Sequence, residues 1–283
     1  MLPENLIAHF EVVLSKKITA HMPLSGGDIN QVYLLQVDQE GYVAKINDKA
    51  TFPGMFQKEA KGLQLLKAVD GVNVPDVIYE GNFGQFSFLL VTYIASVAPA
   101  TNFWNLFAEQ LARIHQQTNW LFGLSFDNYI GSLHQYNDWQ SDPVTFFIEQ
   151  RLFPQFKLAQ KKGYLFAGVA TFYKNLENEI PQEPPSLIHG DLWSGNFIVN
   201  EVGAPCLIDP AVCYGSREMD ISMMQLFGGF DMQVFERYNE IFPLENKWEE
   251  RIKIWQLYYI LVHLNLFGQG YYLSAKKIVD SYS

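Results

Sequence analysis

Three polar side chains stand at the intervals that phosphoryl-transfer chemistry uses. In LIHGDLWSGNFIVN, Leu187 to Asn200, Asp191 follows His189 and Gly190, and Asn196 stands five residues further on. Asp209 comes thirteen residues after Asn196, within CLIDPA from Cys206 to Ala211. Two adjacent hairpin arms thus deliver an acid, an amide and a second acid. In such a set one carboxylate takes the proton of an attacking hydroxyl, while the amide and the other carboxylate hold a metal that bridges phosphates. The competing reading is a polar hairpin whose Asp and Asn satisfy their own turns.

Phosphate chemistry also needs a cation, and the upstream chain supplies one on a defined scaffold. Residues 1–16 carry Leu2, Leu6, Phe10, Val13 and Leu14 at helical spacing. Ile18–Leu24, Gln31–Val37 and Tyr42–Ile46 read as an antiparallel meander, with turns at Ser25-Gly26-Gly27-Asp28 and at Asp38–Gly41. Lys45, in YVAKIN, sits inside the third run and needs a partner, since an isolated buried ammonium is costly. The helix expected over Met55–Ala68 offers Glu59 on the same stripe as Phe56, Leu63 and Leu66. A strand lysine and an inward glutamate on the next helix form the ion pair that kinases use to hold phosphates. Taken singly, Lys45 also reads as a snorkelling edge residue and Glu59 as an exposed charge. Gly26 and Gly27 leave backbone N–H groups open to a phosphate. Two adjacent glycines equally well make a plain turn.

Two further strands, Val74–Tyr79 and Phe86–Ile94, flank a turn at Gly81-Asn82-Phe83-Gly84. Composition then shifts to Ala-Ser-Val-Ala-Pro, which marks a lobe boundary at residue 94. Val91, Thr92 and Tyr93 are the hinge candidates for the adenine edge. Beyond residue 100 the pattern is mostly helical, with Phe103, Phe107, Leu111 and Ile114 on one face of a helix ending at His115, read as a helix-terminal or core histidine. The segment 123–142 is a long polar and aromatic loop in which Asn128, Tyr129 and Trp139 could line a sugar pocket. A helix is expected over 143–162. Arg217 and Asp220 read as fasteners of the metal-binding turn. Trp248, Ile252, Trp255, Tyr259, Val262 and Leu266 form a helical core stripe.

At 283 residues and 48% hydrophobic, the chain can bury a full core in one large domain or two lobes. A net charge of -10 with no Lys/Arg cluster argues against nucleic acid as a partner. Two cysteines, Cys206 and Cys213, are too few for a disulfide scaffold and read as packing residues in a reducing compartment. The N-terminus lacks a signal-peptide pattern, and Ile254–Phe267 is too short and too interrupted for a membrane span. A soluble, cytoplasmic protein is expected.

PLSGGDINQVY, YVAKIN, FQKEAKGL, DNYIGS, HGDLWSGN, IDPAVCYGSREMDISMMQLFGGF and QLYYILVHLNLFGQGY together make the chain resemble the fructosamine-3-kinase (ketosamine kinase) family along its full length. HGDLWSGN with a downstream DPA and YGSRE is the specific part. The resemblance implies an α+β, bilobal protein-kinase-like fold near the aminoglycoside and choline kinases. Its N-terminal lobe would be a small antiparallel sheet over 1–94, and its mainly helical catalytic lobe would span 95–283. It implies an ATP- and magnesium-dependent enzyme that phosphorylates the 3-hydroxyl of a small ketosamine or glycated protein, making the adduct unstable so that the amine is released. Carried over by position, Asp191 is the base, Asn196 and Asp209 the magnesium ligands, Lys45 and Glu59 the phosphate-positioning pair, and Gly26 and Gly27 the phosphate cover. Where many relatives have cysteine after those glycines, this chain has Asp28. Three readings remain beside it: an aminoglycoside- or choline-type kinase, a non-catalytic nucleotide-binding module, and a metal-dependent hydrolase using His189, Asp191 and Asp209.

Overall fold

The computed structural model describes residues 2–24 and 29–283. The turn expected to cover phosphate, with Gly26, Gly27 and Asp28, lies outside the described residues. Helix α1 (Glu4–Leu14) is followed by β1 (Ala20–Pro23), β2 (Gln31–Val37), β3 (Glu40–Asp48), helix α2 (Met55–Lys67), β4 (Val77–Phe83) and β5 (Phe86–Thr92). The five strands form one antiparallel sheet in the order β1-β2-β3-β5-β4. β3 lies in the middle, and alternation divides its side chains. Ala44 and Ile46 pack with Leu6 and Phe10 of α1, while Lys45 points the other way, toward α2. β4 continues through Gly81 to Phe83, where a turn was expected, because Asn82 and Phe83 pair in register with Ser87 and Phe86. The reversal falls one residue later, at Gly84, whose φ of 59° suits a tight hairpin.

The larger lobe begins with α3 (Phe103–His115) and a short hairpin of β6 (Asn128–Ile130) and β7 (Leu133–Gln135) inside the long loop. The helix expected over 143–162 is divided into α4 (Pro143–Phe146), a π-helical stretch Phe147–Leu152, and α5 (Phe153–Lys161). Pro154 supplies the reason: its ring would clash with a carbonyl one turn back, and local widening relieves the clash. Then come α6 (Val169–Glu179), β8 (Ser186–Ile188), β9 (Phe197–Val199), β10 (Pro205–Leu207), β11 (Cys213–Gly215), α7 (Glu218–Leu226), α8 (Met232–Ile241), α9 (Trp248–Phe267) and α10 (Tyr272–Ser281).

One apolar cluster spans both lobes and fixes their relation. Phe56, Leu63 and Leu66 of α2 and Leu89 of β5 meet Phe107 and Leu111 of α3 and Val212 of the C-terminal lobe. α2 approaches the chain after Asp209 so closely that a Cβ on Gly62 would lie 3.3 Å from Val212 and 3.4 Å from Pro210. Cys206 and Cys213 are buried thiols. Among the described residues no helix is long and apolar enough to cross a membrane.

Candidate active site

Two nested ribbons bring the distant acids together. β9 pairs with β10, and outside them β8 pairs with β11. The arm from β8 to β9 carries Asp191 and Asn196, and the arm from β10 to β11 carries Asp209, so the two arms face each other. Main-chain bonds lace them: the Ala211 N–H donates to His189 O at 2.9 Å and the Ile208 N–H to Asn196 O at 3.0 Å. Gly190 must be glycine here, because its φ is 83° and an added Cβ would lie 2.1 Å from Ala211 O. Asp209 itself sits at φ 55°, a left-handed turn that aspartate tolerates better than most residues.

The amide nitrogen of Asn196 donates to Asp191 O at 2.7 Å and to its Oδ2 at 3.2 Å. That commits the amide nitrogen to Asp191 and turns the amide oxygen elsewhere, and among the described residues nothing donates to that oxygen. The Asp191 carboxyl is pushed up to about 7, first by desolvation and then by the charge of Asp209, against the pull of the Asn196 hydrogen bond. A general base with its pKa near neutrality matches the task of taking a hydroxyl proton.

Asp220, fully buried on α7, holds the first arm from behind. Its carboxylate accepts from the backbone N–H of His189 at 2.7 Å and of Gly190 at 2.8 Å. It also meets His115 Nε2 at 3.2 Å, and His115 Nδ1 lies 2.7 Å from the Tyr238 hydroxyl. Asp220 thus fastens the arm that carries Asp191 rather than the metal-binding turn expected from sequence. Arg217 serves elsewhere, pairing with Glu183 and donating to the carbonyls of Phe242 and Pro243. His189 donates from Nε2 to Ile208 O at 3.0 Å and accepts the Asp191 N–H at Nδ1, 3.3 Å away. Both ring nitrogens are therefore engaged, which removes His189 from the metal-dependent hydrolase reading.

Lys45 Nζ lies 2.6 Å from Glu59 Oε1 and also contacts Asp209 Oδ1. Burial opposes its charge, but Asp209 and Glu59 outweigh burial and hold the ammonium above its usual range. Burial, together with Asp209, raises the Glu59 carboxyl against the pull of Lys45. The strand lysine and helix glutamate are neither an edge residue nor an exposed charge.

These groups share a cavity of about 650 Å³ lined by Lys45, Glu59, Asp191, Asn196 and Asp209. Val91, Thr92 and Tyr93 do not line it. Val91 is buried in the cluster between the lobes, and the N–H groups of Thr92 and Tyr93 donate at 3.0 Å to Asp76 O and Gly41 O. Of the loop residues, Tyr129 lines the cavity with Lys58 over its ring. Asn128 also borders it, but pins the second arm through Val212 O at 2.9 Å. Trp139 does not line it. The lining also includes Trp193, Phe227, Tyr259, His263, Phe267 and Tyr271. Sequence periodicity assigned Tyr259, Val262 and Leu266 to the core; Tyr259 and Val262 are buried there with Leu266 packed against them, and all three also border the cavity. The signal was His263, a polar residue interrupting that apolar run.

The oxygen donors fit magnesium, a hard cation usually held by one or two carboxylates plus substrate phosphates. Among the described residues no cluster of three His, Cys, Asp or Glu could hold a metal by itself. The uncommitted amide oxygen of Asn196 and the partly exposed carboxylate of Asp209 are the two donors such a metal would find.

The fructosamine kinase family model matches residues 4–283. A probable ketoamine kinase of Enterococcus faecium is 39% identical over 267 residues, covering 92% of this chain and 94% of the relative. One from Vibrio parahaemolyticus is 38% identical over 270 residues, covering 93% and 91%. The crystal structure of a putative fructosamine-3-kinase from Haemophilus somnus superposes with a TM-score of 0.89 at 30% identity, covering 98% of this chain and 96% of that one. An aminoglycoside phosphotransferase in complex with ADP and hygromycin B shares the fold, with a TM-score of 0.66 at 16% identity over 98% and 97% of the two chains.

Proposed function

Since this chain belongs to the fructosamine kinase family, we propose that it transfers the γ-phosphoryl group of ATP to the 3-hydroxyl of a ketosamine. The acceptor is a fructosamine or ribulosamine adduct, and the biological role is the removal of sugar from glycated amines. Asp191 orients the acceptor hydroxyl and takes its proton. Lys45, steadied by Glu59, positions the phosphates, and Asn196 and Asp209 would hold magnesium. Bound there, magnesium supplies charge neutralisation on the phosphates. Positioning and electrostatics carry the rate, with no covalent intermediate on the protein. We place the lobe division between residues 94 and 95. The Thr92 and Tyr93 N–H groups are held by the sheet, so an N–H for the adenine edge comes from the connector beyond Tyr93.

One observation carries this reading: five groups from four separate stretches converge on one cavity whose lining is otherwise largely apolar and aromatic. The size suits a small ligand. A polycationic aminoglycoside would need further acids around the cavity, and among the described residues the only carboxylates lining it are those of Glu59, Asp191 and Asp209. The ketosamine's single ammonium suits aromatic faces. Those faces would also suit choline, so choline belongs in the test.

A coupled ATP-consumption assay over fructosamines, ribulosamines, aminoglycosides and choline is expected to give turnover with ketosamines, with phosphorus NMR locating the ester on the 3-oxygen. Preference for an aminoglycoside or choline would overturn the assignment. Absence of ATP turnover with every acceptor would favour the non-catalytic module. Lys45→Met is expected to raise the KM for ATP roughly 10- to 100-fold, the effect of losing a charged hydrogen bond. An unchanged KM over an ATP series would remove Lys45 from phosphate positioning.

A further inference from the structure

The left-handed backbone of Asp209, at φ 55°, is one that a residue other than glycine keeps only where its surroundings hold it there. Before it, the Ile208 N–H donates to Asn196 O; after it, Pro210 has a fixed φ and the Ala211 N–H donates to His189 O. The carbonyls that follow are gripped from behind the arm. Gln135 Nε2 donates to Ala211 O at 3.0 Å, and Asn128 Nδ2 donates to Val212 O at 2.9 Å. Asn128 and Gln135 are cross-strand partners in the β6–β7 hairpin, and Gln135 Nε2 also donates to Asn128 Oδ1 at 2.8 Å. An amide can present either end, so its neighbours must fix which end faces the arm. The Tyr258 hydroxyl donates to Gln135 Oε1 at 2.7 Å. Asn137 Nδ2 donates to Asn128 Oδ1 at 3.0 Å, and Arg151 Nη2 donates to Asn137 Oδ1 at 2.8 Å. A guanidinium only donates, so the relay from Arg151 through Asn137 and Asn128 to Val212 O has one polarity. Arg151 is buried in the π-helical stretch, and among the described residues no carboxylate pairs with it. Its charge rests on the carbonyls of Tyr136 and Gln150 and on the ring of Phe146. Burying a charge without a counter-ion is costly, and what this one supplies is a donor that cannot reverse. None of Arg151, Asn137, Gln135 and Tyr258 lines the cavity.

We propose that Arg151 is a positioning residue for phosphoryl transfer: it sets the direction of a buried amide relay that holds the Asp209 arm in place for magnesium. The inference rests on the reading of Asp209 as a magnesium donor. Groups behind a metal ligand fix its orientation, and losing one lowers metal affinity or activity by roughly 10- to 100-fold. Lys45 and Glu59 stand on the other lobe, so loss of the relay touches the magnesium-dependent part of ATP binding and spares the rest.

Full-length wild type, Arg151→Met, Tyr258→Phe and Asp209→Ala are compared by calorimetric titration with ATP and no acceptor, once in saturating magnesium and once in EDTA. The ratio of the two Kd values is the readout, since a general loosening of the fold would weaken both. Asp209→Ala is expected to remove most of the gain that magnesium gives wild type. Arg151→Met should raise the Kd in magnesium roughly 10-fold and leave the Kd in EDTA unchanged. Tyr258→Phe keeps the ring and drops one donor, so it should raise the Kd in magnesium about 2- to 10-fold, and it carries the test alone if Arg151→Met does not fold. Combined with Asp209→Ala, neither substitution should change the ratio further. Ratios equal to wild type, equal weakening with and without magnesium, or a further loss in the Asp209→Ala background would overturn the proposal. If Asp209→Ala loses the ratio while the relay variants keep theirs, this inference alone fails. If Asp209→Ala keeps the wild-type ratio, the magnesium reading fails and takes this inference with it.

Discussion

Replacing Asp191 with asparagine is expected to lower kcat by about 10²- to 10⁴-fold, the usual contribution of a positioned proton acceptor. The Kd for ATP should stay unchanged, because Lys45, Glu59, Asn196 and Asp209 remain. Asparagine has the shape of aspartate, and the bond from the Asn196 amide to the main-chain oxygen of residue 191 survives. A variant with full turnover would remove Asp191 from the chemistry. The same substitution has a second readout in the metal- and nucleotide-free protein. Burial and Asp209 raise the Asp191 carboxyl to about 7. Below pH ~4 the group is protonated in folded and unfolded chains alike, and its titration contributes nothing to stability. Between pH ~4 and 7 the unfolded chain releases the proton while the folded chain keeps it, so stability declines as pH rises. Above about pH 7 the penalty is complete. Asp191→Asn should therefore be more stable than wild type at pH 8, with the gap closing as pH falls toward 4. Tm series of both proteins would show it, and a gap independent of pH would contradict the raised carboxyl.

Asp220→Ala is expected to lower stability by about 3–5 kcal/mol, the range for removing one partner from a buried charged network. Two backbone donors, on His189 and Gly190, would lose their acceptor, as would His115, and all three residues are fully or almost fully buried. The folded fraction should also lose about 100-fold in turnover, because a shift of about 1 Å in a catalytic group has that effect. Asp220→Asn keeps one acceptor oxygen but turns an amide donor toward the remaining N–H, so an intermediate loss is expected. Urea midpoints combined with initial rates test both. An Asp220→Ala protein with the wild-type midpoint and rate would show that the first arm holds itself.

The reactive set was legible because its members are close in the chain or on regular elements. Asp191 and Asn196 share one short arm, so their spacing survives folding. Lys45 and Glu59 followed from the alternation of β3 and the stripe of α2, both of which are local periodicities. The resemblance to ketosamine kinases followed from motifs for the same reason. Other features needed the folded chain. Asp220 stands beyond the reactive set on a different helix, and nothing local says which N–H groups it accepts. His115 read correctly as buried, yet its place beside Asp220 arises from the packing of α3 on α7 and α8. The hinge candidates were chosen by composition, and only sheet register shows that the Thr92 and Tyr93 N–H groups are already bonded.

By itself, then, the sequence determined which acid, amide and cation the fold brings together, and the two-lobed scaffold that carries them. Tertiary structure alone decided that the α9 stripe, buried as periodicity expected, also borders the cavity that holds Lys45, Asp191 and Asp209. Periodicity reports that a helix face is apolar and must leave water. It cannot say whether part of that face also borders a cavity, as Tyr259 and Val262 do while staying buried.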